Sequence, residues 1–313
     1  MACDEVGPGL YYPWRALNGS ASQGATTIRH ARKGSVMSYR RSLLILASSV
    51  CVASVCLAQT PSPGSPDDEP KLTDEQKQQF LLVAMVVDSK QLGKGVTHPW
   101  RLTLSDGQFK HDAAFQAVNE HKKRQAFTDG HTELNFVDSY RYDIAGYLLA
   151  KLVGMNDMIP VTVKRNWNGQ EGALSWWIPW KWDEVMRYHQ NLAPPDPEVW
   201  KNQMYKVRVF DQLIYDTDPN MTNILITADW KIWRIDFTRA FRLHRDLRDP
   251  KDLVRCERQL LEKLRLLDRD TVLRATKPYL KKSEVTALMA RRDKIVATFQ
   301  ELVAQKGEAT VLY

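Results

Sequence analysis

Residues 216–223 read Asp-Thr-Asp-Pro-Asn-Met-Thr-Asn, and further along the chain comes Asp236-Phe237-Thr238. Carboxylate and amide oxygens are the ligands that hard cations such as Mg2+ take, and the ion keeps room for phosphate oxygens. Two apolar runs, Ile224 to Ile226 and Trp230 to Ile235, flank a break from Ala228 to Lys231, the pattern of a β-hairpin. Folding about that break predicts that Asn223 pairs with Asp236, so that two oxygen ligands meet at the open end of the hairpin. Asp218 falls on the loop entering it, where a carboxylate can orient an incoming hydroxyl or accept its proton. A calcium loop through Asp216, Asp218 and Asn220 is disfavoured, because Met221 and Thr227 stand where such a loop needs Gly and Glu.

Elements on both sides must hold these groups. Lys71 to Asp88 reads as a helix capped by Thr73, and Trp100 to Leu104 and Phe109 to Val118 as paired strands. Asp138 or Ser139 can cap a helix whose apolar face is Tyr140, Ile144, Tyr147, Leu148 and Leu152, ended by Gly154. Pro160 to Lys164 and Ala173 to Ile178 form a second strand pair. The proline-rich stretch Asn191 to Pro197 reads as a lobe boundary, and Asp196-Pro197 starts a long helix. From Pro250 onward the periodicity is helical. The expected fold is α+β: a small antiparallel β lobe with one helix, residues 71–190, then a mainly helical lobe, 191–313, carrying the hairpin at 216–238.

The chain resembles the atypical kinases, meaning the phosphatidylinositol 3- and 4-kinases, the HipA-type bacterial Ser/Thr kinases and the secretory-pathway kinases. Three segments carry the resemblance in order over roughly residues 81 to 245: Y-R-Y-D-I-A-G-Y-L-L-A-K-L-V-G followed by I-P-V-T-V, then D-T-D-P-N-M-T-N, then I-D-F-T-R-A-F. Kinases separate the Asp and Asn of the catalytic loop by four residues and place a metal-binding Asp-Phe-Gly after another strand. The resemblance implies a two-lobed kinase-like fold and a chemistry of phosphate transfer from ATP, with Mg2+, to a hydroxyl-bearing acceptor. It implies that Asp218 is the catalytic acid or base, that Asn223 and Asp236 hold the metal, and that Asp143 takes the place of the helix acid that pairs with a phosphate-binding Lys.

At that Lys the chain departs from the pattern, since Ala113-Ala114-Phe115 is followed by Gln116. Lys110, on the same strand face by parity, and Lys94 and Arg101 are the alternative cations. Gly93-Lys94-Gly95 is either an ordinary hairpin turn or a phosphate-covering loop. Thr238 replaces the usual Gly of the metal motif. A catalytically inactive pseudokinase scaffold therefore stays open, as does a carbohydrate-binding module using Trp176, Trp177, Trp180 and Trp182, which in the kinase reading lie at the hinge between lobes.

The 313 residues carry 44 Lys and Arg against 37 Asp and Glu, with 43% apolar residues, which excludes disorder, a collagen-like fibre and a polytopic membrane protein. Arg40-Arg41, an uncharged run from Ser42 to Leu57 and the Cys56-Leu57-Ala58 site form an export signal, residues 37–58, expected to be cut after Ala58. Residues 1–36 then precede the true start at Met37, and 59–70 are a proline-rich linker. Removing residues 1–58 takes away six basic and two acidic residues and leaves a net charge of +3, little support for nucleic-acid binding. Of the four cysteines only Cys256 survives, so no internal disulfide and no cysteine metal cluster is expected. The protein is expected to be exported, to the periplasm or outside, and to meet the membrane only through its signal; retention by an uncleaved signal is the alternative.

Overall fold

Phe80 and Leu81, both buried, sit on helix α1 (Asp74–Val83), which Thr73 opens with a reciprocal capping box to Gln76. A computed structural model describes residues 72–93, 99–127, 130 and 132–313 of the chain, and all of these fall in one unit. The upstream extension, the export signal and the linker lie outside the described residues, as do Lys94 and Gly95. The helix expected up to Asp88 stops at Val83, because β-branched Val86 and Val87 continue as strand β1 (Met85–Gln91).

A five-stranded antiparallel sheet runs in the order β1, β2 (Trp100–Ser105), β3 (Lys110–Gln116), β7 (Gln170–Trp176), β6 (Thr162–Trp167). Its two faces are set by the alternation of side chains along each strand. Leu174 and Trp176 face α1, where Phe80 meets Trp176 at 5.8 Å and Phe109 at 5.1 Å. Ala173 faces the other way and packs with Tyr140 and Ile144 at helix α2 (Arg141–Val153). Leu102, Leu104, Phe115 and Leu174 are at most 1% exposed, each worth about 1.5–3 kcal/mol of burial. The sheet is thus clad by one helix on each face.

Between β3 and α2 the chain makes a separate two-stranded hairpin, β4 (Asn119–Ala126) and β5 (Thr132–Ser139). After β7 it forms β8 (Trp180–Asp183) and a short helix, α3 (Glu184–His189). The proline-rich stretch expected as a boundary is the loop leading to α4 (Pro197–Ile214), where the Asp196 carboxylate accepts from the amides of Glu198 and Val199. Strand β8 pairs with β9 (Ile224–Thr227), which pairs with β10 (Ile232–Arg234), so the strand bearing Trp180 and Trp182 is part of the sheet that carries the hairpin.

Helices α5 (Arg258–Leu266), α6 (Arg269–Thr276), α7 (Lys282–Lys306) and α8 (Glu308–Val311) complete the second lobe. Arg291 of α7 is fully buried and donates to the carbonyls of Leu213 and Arg242, tying the end of α4 to the segment that follows the Asp-Phe-Thr turn. Burial pushes that guanidinium down to about 10. Helix α2 is held to the second lobe as well, since the Tyr142 hydroxyl donates to Glu284 at 2.7 Å inside the core. Among the described residues no helix is long and apolar enough to cross a membrane.

Candidate active site

Helix α4 ends at Ile214, and Tyr215 takes a left-handed conformation (φ 51°) that turns the chain into the Asp216–Asn223 loop. Asp216 is 1% exposed, and its carboxylate accepts from the amide of Asp218 at 2.9 Å and from the Arg234 guanidinium. Arg234, itself 1% exposed, also pairs with Asp211 of α4 at 3.2 Å and donates to the carbonyl of Asp236 at 3.3 Å. One buried cation therefore holds the end of α4, the loop that bears Asp218, and the start of the Asp-Phe-Thr turn. Burial raises the Asp211 carboxyl to about 6 in spite of that arginine. Asp218 itself keeps half of its side chain in solvent, at 50%.

The hairpin forms, with a register one residue away from the expected one. Ile226 pairs with Ile232 and Ile224 with Arg234, and Asn223 accepts from the amide of Ile235, not of Asp236. The reason is the turn. Trp230 adopts φ 65°, its amide bonds the carbonyl of Thr227, and the amide of Thr227 bonds the carbonyl of Lys231, so three residues make the loop where a four-residue break was expected. A side-chain parity argument then fails at Asp236 for a second reason: its φ is 60°, so the chain has left the strand. Asn223 and Asp236 still lie at the same open end of the hairpin.

Asp236 is exposed, yet the protein around it, with Asp138 nearby, pushes its carboxyl up to about 6. Asp143 of α2 is buried, and its Oδ1 accepts from the amide of Phe237 at 2.7 Å. Burial first, and then the charge of Asp236, raise it well above the usual carboxylate range. Asp138 is raised by burial too, and its Oδ1 is buried with no hydrogen-bond partner. Three carboxylates thus crowd one place, one of them with an orphaned oxygen, and a divalent cation fits that charge. No three His, Cys, Asp or Glu side chains among the described residues surround one metal point. The fit is to an ion that takes few protein ligands and fills its shell with phosphate and water, as Mg2+ does.

The expected helix acid is thus bonded to a backbone amide and crowded by like charge. On β3, Ala114 and Gln116 share the face of the sheet that looks toward α2, with Gln116 opposite Ala173. Arg101 lies opposite Ala114, but its guanidinium is bonded to Asp112 at 2.7 Å and stands over the Trp177 ring at 4.4 Å. Lys110 is exposed at the far end of β3, opposite Ser105. Gly93 is in the β1–β2 connection, closed by the amide of Leu92 bonding the carbonyl of Pro99. Trp176 is core, and the Trp182, Trp230 and Trp200 rings pack on one another at 5.2 and 5.8 Å, so these rings are taken up by internal contacts.

Sequence reasoning passed over Arg234, Arg239 and Glu133, set Asp216 aside with the calcium loop and gave Asp138 only a capping role. Arg234 left a trace: it is a charged residue inside the apolar run from Trp230 to Ile235, and a charge in a buried strand needs partners. Glu133 had none, and Asp138 none for a place in the site, because the β4–β5 hairpin that carries them shows no strong apolar alternation.

No family model matches the chain, and neither does any curated protein. Solved structures do. A structure of hydra Fam20 with sugar aligns with TM-score 0.51 and 14% identity, over 77% of this chain and 92% of the other. The Golgi casein kinase aligns with TM-score 0.54 and 12% identity, over 76% and 78%, and a structure of it with Mn/ADP bound aligns with TM-score 0.53. At such identities the likeness speaks for the fold. The chain therefore has a kinase-like fold of mixed α and β structure, similar in architecture to hydra Fam20 and the Golgi casein kinase.

Proposed function

We propose that the protein is an exported phosphotransferase that binds ATP with Mg2+ and moves phosphate to a hydroxyl-bearing acceptor. The observation that carries this reading is the bonding of the Asp218 loop to the Asp-Phe-Thr turn: Thr217 donates from its amide at 3.3 Å and its hydroxyl at 2.9 Å to the carbonyl of Arg239. The exposed Asp218 carboxylate is thereby held on a loop tied to the segment that carries Asp236. The neighbouring fold with Mn/ADP bound supports a nucleotide and a divalent metal as ligands.

In this reading Asn223 and Asp236 hold the metal, and Asp138 adds negative charge behind them. Bound Mg2+–ATP supplies the phosphoryl group and neutralises its charge. Asp218 orients the acceptor hydroxyl and takes its proton at a carboxylate oxygen. Asp143 keeps the Asp236 turn in place through the Phe237 amide. Catalysis is then positioning and electrostatics, as expected for this reaction class.

A second reading, a scaffold that binds nucleotide without transfer, rests on Gln116 at the lysine position and on Arg101 being engaged by Asp112. The two are separated by heating the purified protein with and without Mg2+ and ATP, then incubating it with labelled ATP. Transfer abolished by Asp218→Ala supports the enzyme, and a thermal shift without transfer supports the scaffold. No shift and no transfer ends both. Export is tested apart, by sequencing the N-terminus of the protein made in a secreting cell: a start at Gln59 supports it, and an unprocessed chain retained in the cytoplasm ends it.

A further inference from the structure

We infer that Arg239 is a positioning residue for Asp218, and that Glu133 on the β4–β5 hairpin fixes where the Arg239 guanidinium stands. The inference rests on the phosphotransferase reading and names a device that the resemblance does not supply. Arg239 Nη1 lies 3.5 Å from Asp218 Oδ2, and Nη2 donates to Glu133 Oε2 at 2.9 Å. The guanidinium carbon stands 4.9 Å from the Phe127 ring centre and 5.3 Å from that of Phe136. Both rings belong to the hairpin or its turn, so β4–β5 supplies a carboxylate and two aromatic faces to a residue of the Asp-Phe-Thr segment. Only 17% of the Arg239 side chain is exposed.

Charge counting shows why Asp218 is the second partner. Glu133 also pairs with Arg242 at 2.7 Å, so one carboxylate serves two guanidiniums. Arg239 Nε and Arg242 Nε and Nη1 are buried without hydrogen-bond partners. The positive charge that Glu133 leaves uncompensated is met by Asp138, which lies near both guanidiniums, and on the Arg239 side by Asp218 as well. A half-exposed carboxylate without such a neighbour samples several rotamers, and holding it toward the acceptor costs side-chain entropy at each turnover. The planar guanidinium, held between two carboxylates and packed against two rings, removes that freedom in a way a lysine ammonium cannot. The backbone acts in the same sense, because the Arg239 carbonyl accepts both Thr217 donors one residue before Asp218.

The test uses the full chain, Mg2+–ATP and labelled phosphate transfer, including transfer to the protein itself. Arg239→Gln is expected to lower kcat about 10- to 100-fold with the KM for ATP within about twofold, the signature of a misplaced group that nucleotide binding does not sense. Glu133→Gln is expected to lower kcat about threefold in the same pattern, and Arg239→Lys is expected not to restore the rate. A kcat unchanged in Arg239→Gln, or kcat and KM changing in step with the folded fraction seen in thermal melts, overturns the inference. If Arg239→Gln does not fold, Glu133→Gln decides by the same split. If the wild type binds Mg2+–ATP and transfers nothing, the phosphotransferase reading fails on its own. The placement of Asp218 is then read from melting temperatures of Asp218→Ala, Arg239→Gln and the double variant: non-additive shifts support the contact, and additive shifts overturn it.

Discussion

Asp143 Oδ1 accepts a hydrogen bond of 2.7 Å from the amide of Phe237. Three residues along the same face of α2, Gly146 leaves the space that the Phe237 ring fills. One helix turn of the first lobe therefore grips both the backbone and the side chain of the residue after Asp236. The helix acid contributes to the Asp-Phe-Thr turn by this bond.

Asp143→Asn keeps the acceptor oxygen and removes the charge. In the folded protein the Asp143 carboxyl is raised by burial and by Asp236, while in the unfolded chain it returns to its ordinary value near 3.8. As pH rises past that value the unfolded chain releases its proton first, so this group lowers stability as pH increases. Asp143→Asn is expected to melt higher than the wild type at pH 7, with the gap closing toward pH 4. A variant that melts lower at pH 7 would show that a cation compensates the carboxylate. Asp143→Leu leaves the amide unpaired and is expected to cost about 1–3 kcal/mol.

Gly146→Ala puts a methyl 2.6 Å from Phe237 Cδ2, a contact real structures do not tolerate. Helix propensity favours alanine by about 1 kcal/mol, so the sign is decided by the clash. The expected result is a net loss of about 1–3 kcal/mol, together with weaker Mg2+–ATP binding as the ring pushes the Asp236 turn. Chemical denaturation and calorimetric titration check the two halves. An alanine variant as stable as the parent would mean that the ring moves freely.

Asp236, whose carboxyl the surrounding protein pushes up to about 6, should make metal binding depend on pH. A proton competes with the ion below that value, so the thermal shift produced by Mg2+ and ATP is expected to grow from pH 5 to pH 7. Without metal, the same raised carboxyl lowers stability as pH climbs from about 4 to 6. In Asp236→Asn the Mg2+ trend should vanish and the metal-free trend should shrink, the remainder coming from the raised Asp143 and Asp211 carboxyls. Persistence of the Mg2+ effect in that variant would move the metal to other ligands.

Arg234→Met leaves Asp216 and Asp211 with no buried cation. Removing one partner of a buried pair costs about 3–5 kcal/mol, and the loss should show in denaturant melts. Arg234→Met with Asp211→Asn and Asp216→Asn is expected to recover part of the loss, because no uncompensated charge is then left inside. If the single variant costs under about 1 kcal/mol, as exposed pairs do, Arg234 is not the tie described above.

Local signals were written in the sequence where a short stretch decides its own conformation. Thr73 with Gln76, Asp196 with Pro197 and Gly154 in a left-handed conformation mark helix ends because caps need only neighbouring residues. The D-T-D-P-N-M-T-N loop and the hairpin after it were legible for the same reason, and so was the order of strands and helices that the kinase fold shares.

Other features were settled only in three dimensions. The register of the hairpin turned on Trp230, a residue with no intrinsic preference for φ 65°, which is held there by two backbone bonds across the turn. Asp143 found its partner on a residue 94 positions away, and Arg239 met Glu133 across 106. Residue type and spacing determined which oxygens and cations this chain could bring to a site. Which of them meet was decided by tertiary packing, because a carboxylate's partner and its proton affinity depend on the buried surroundings that distant segments build around it.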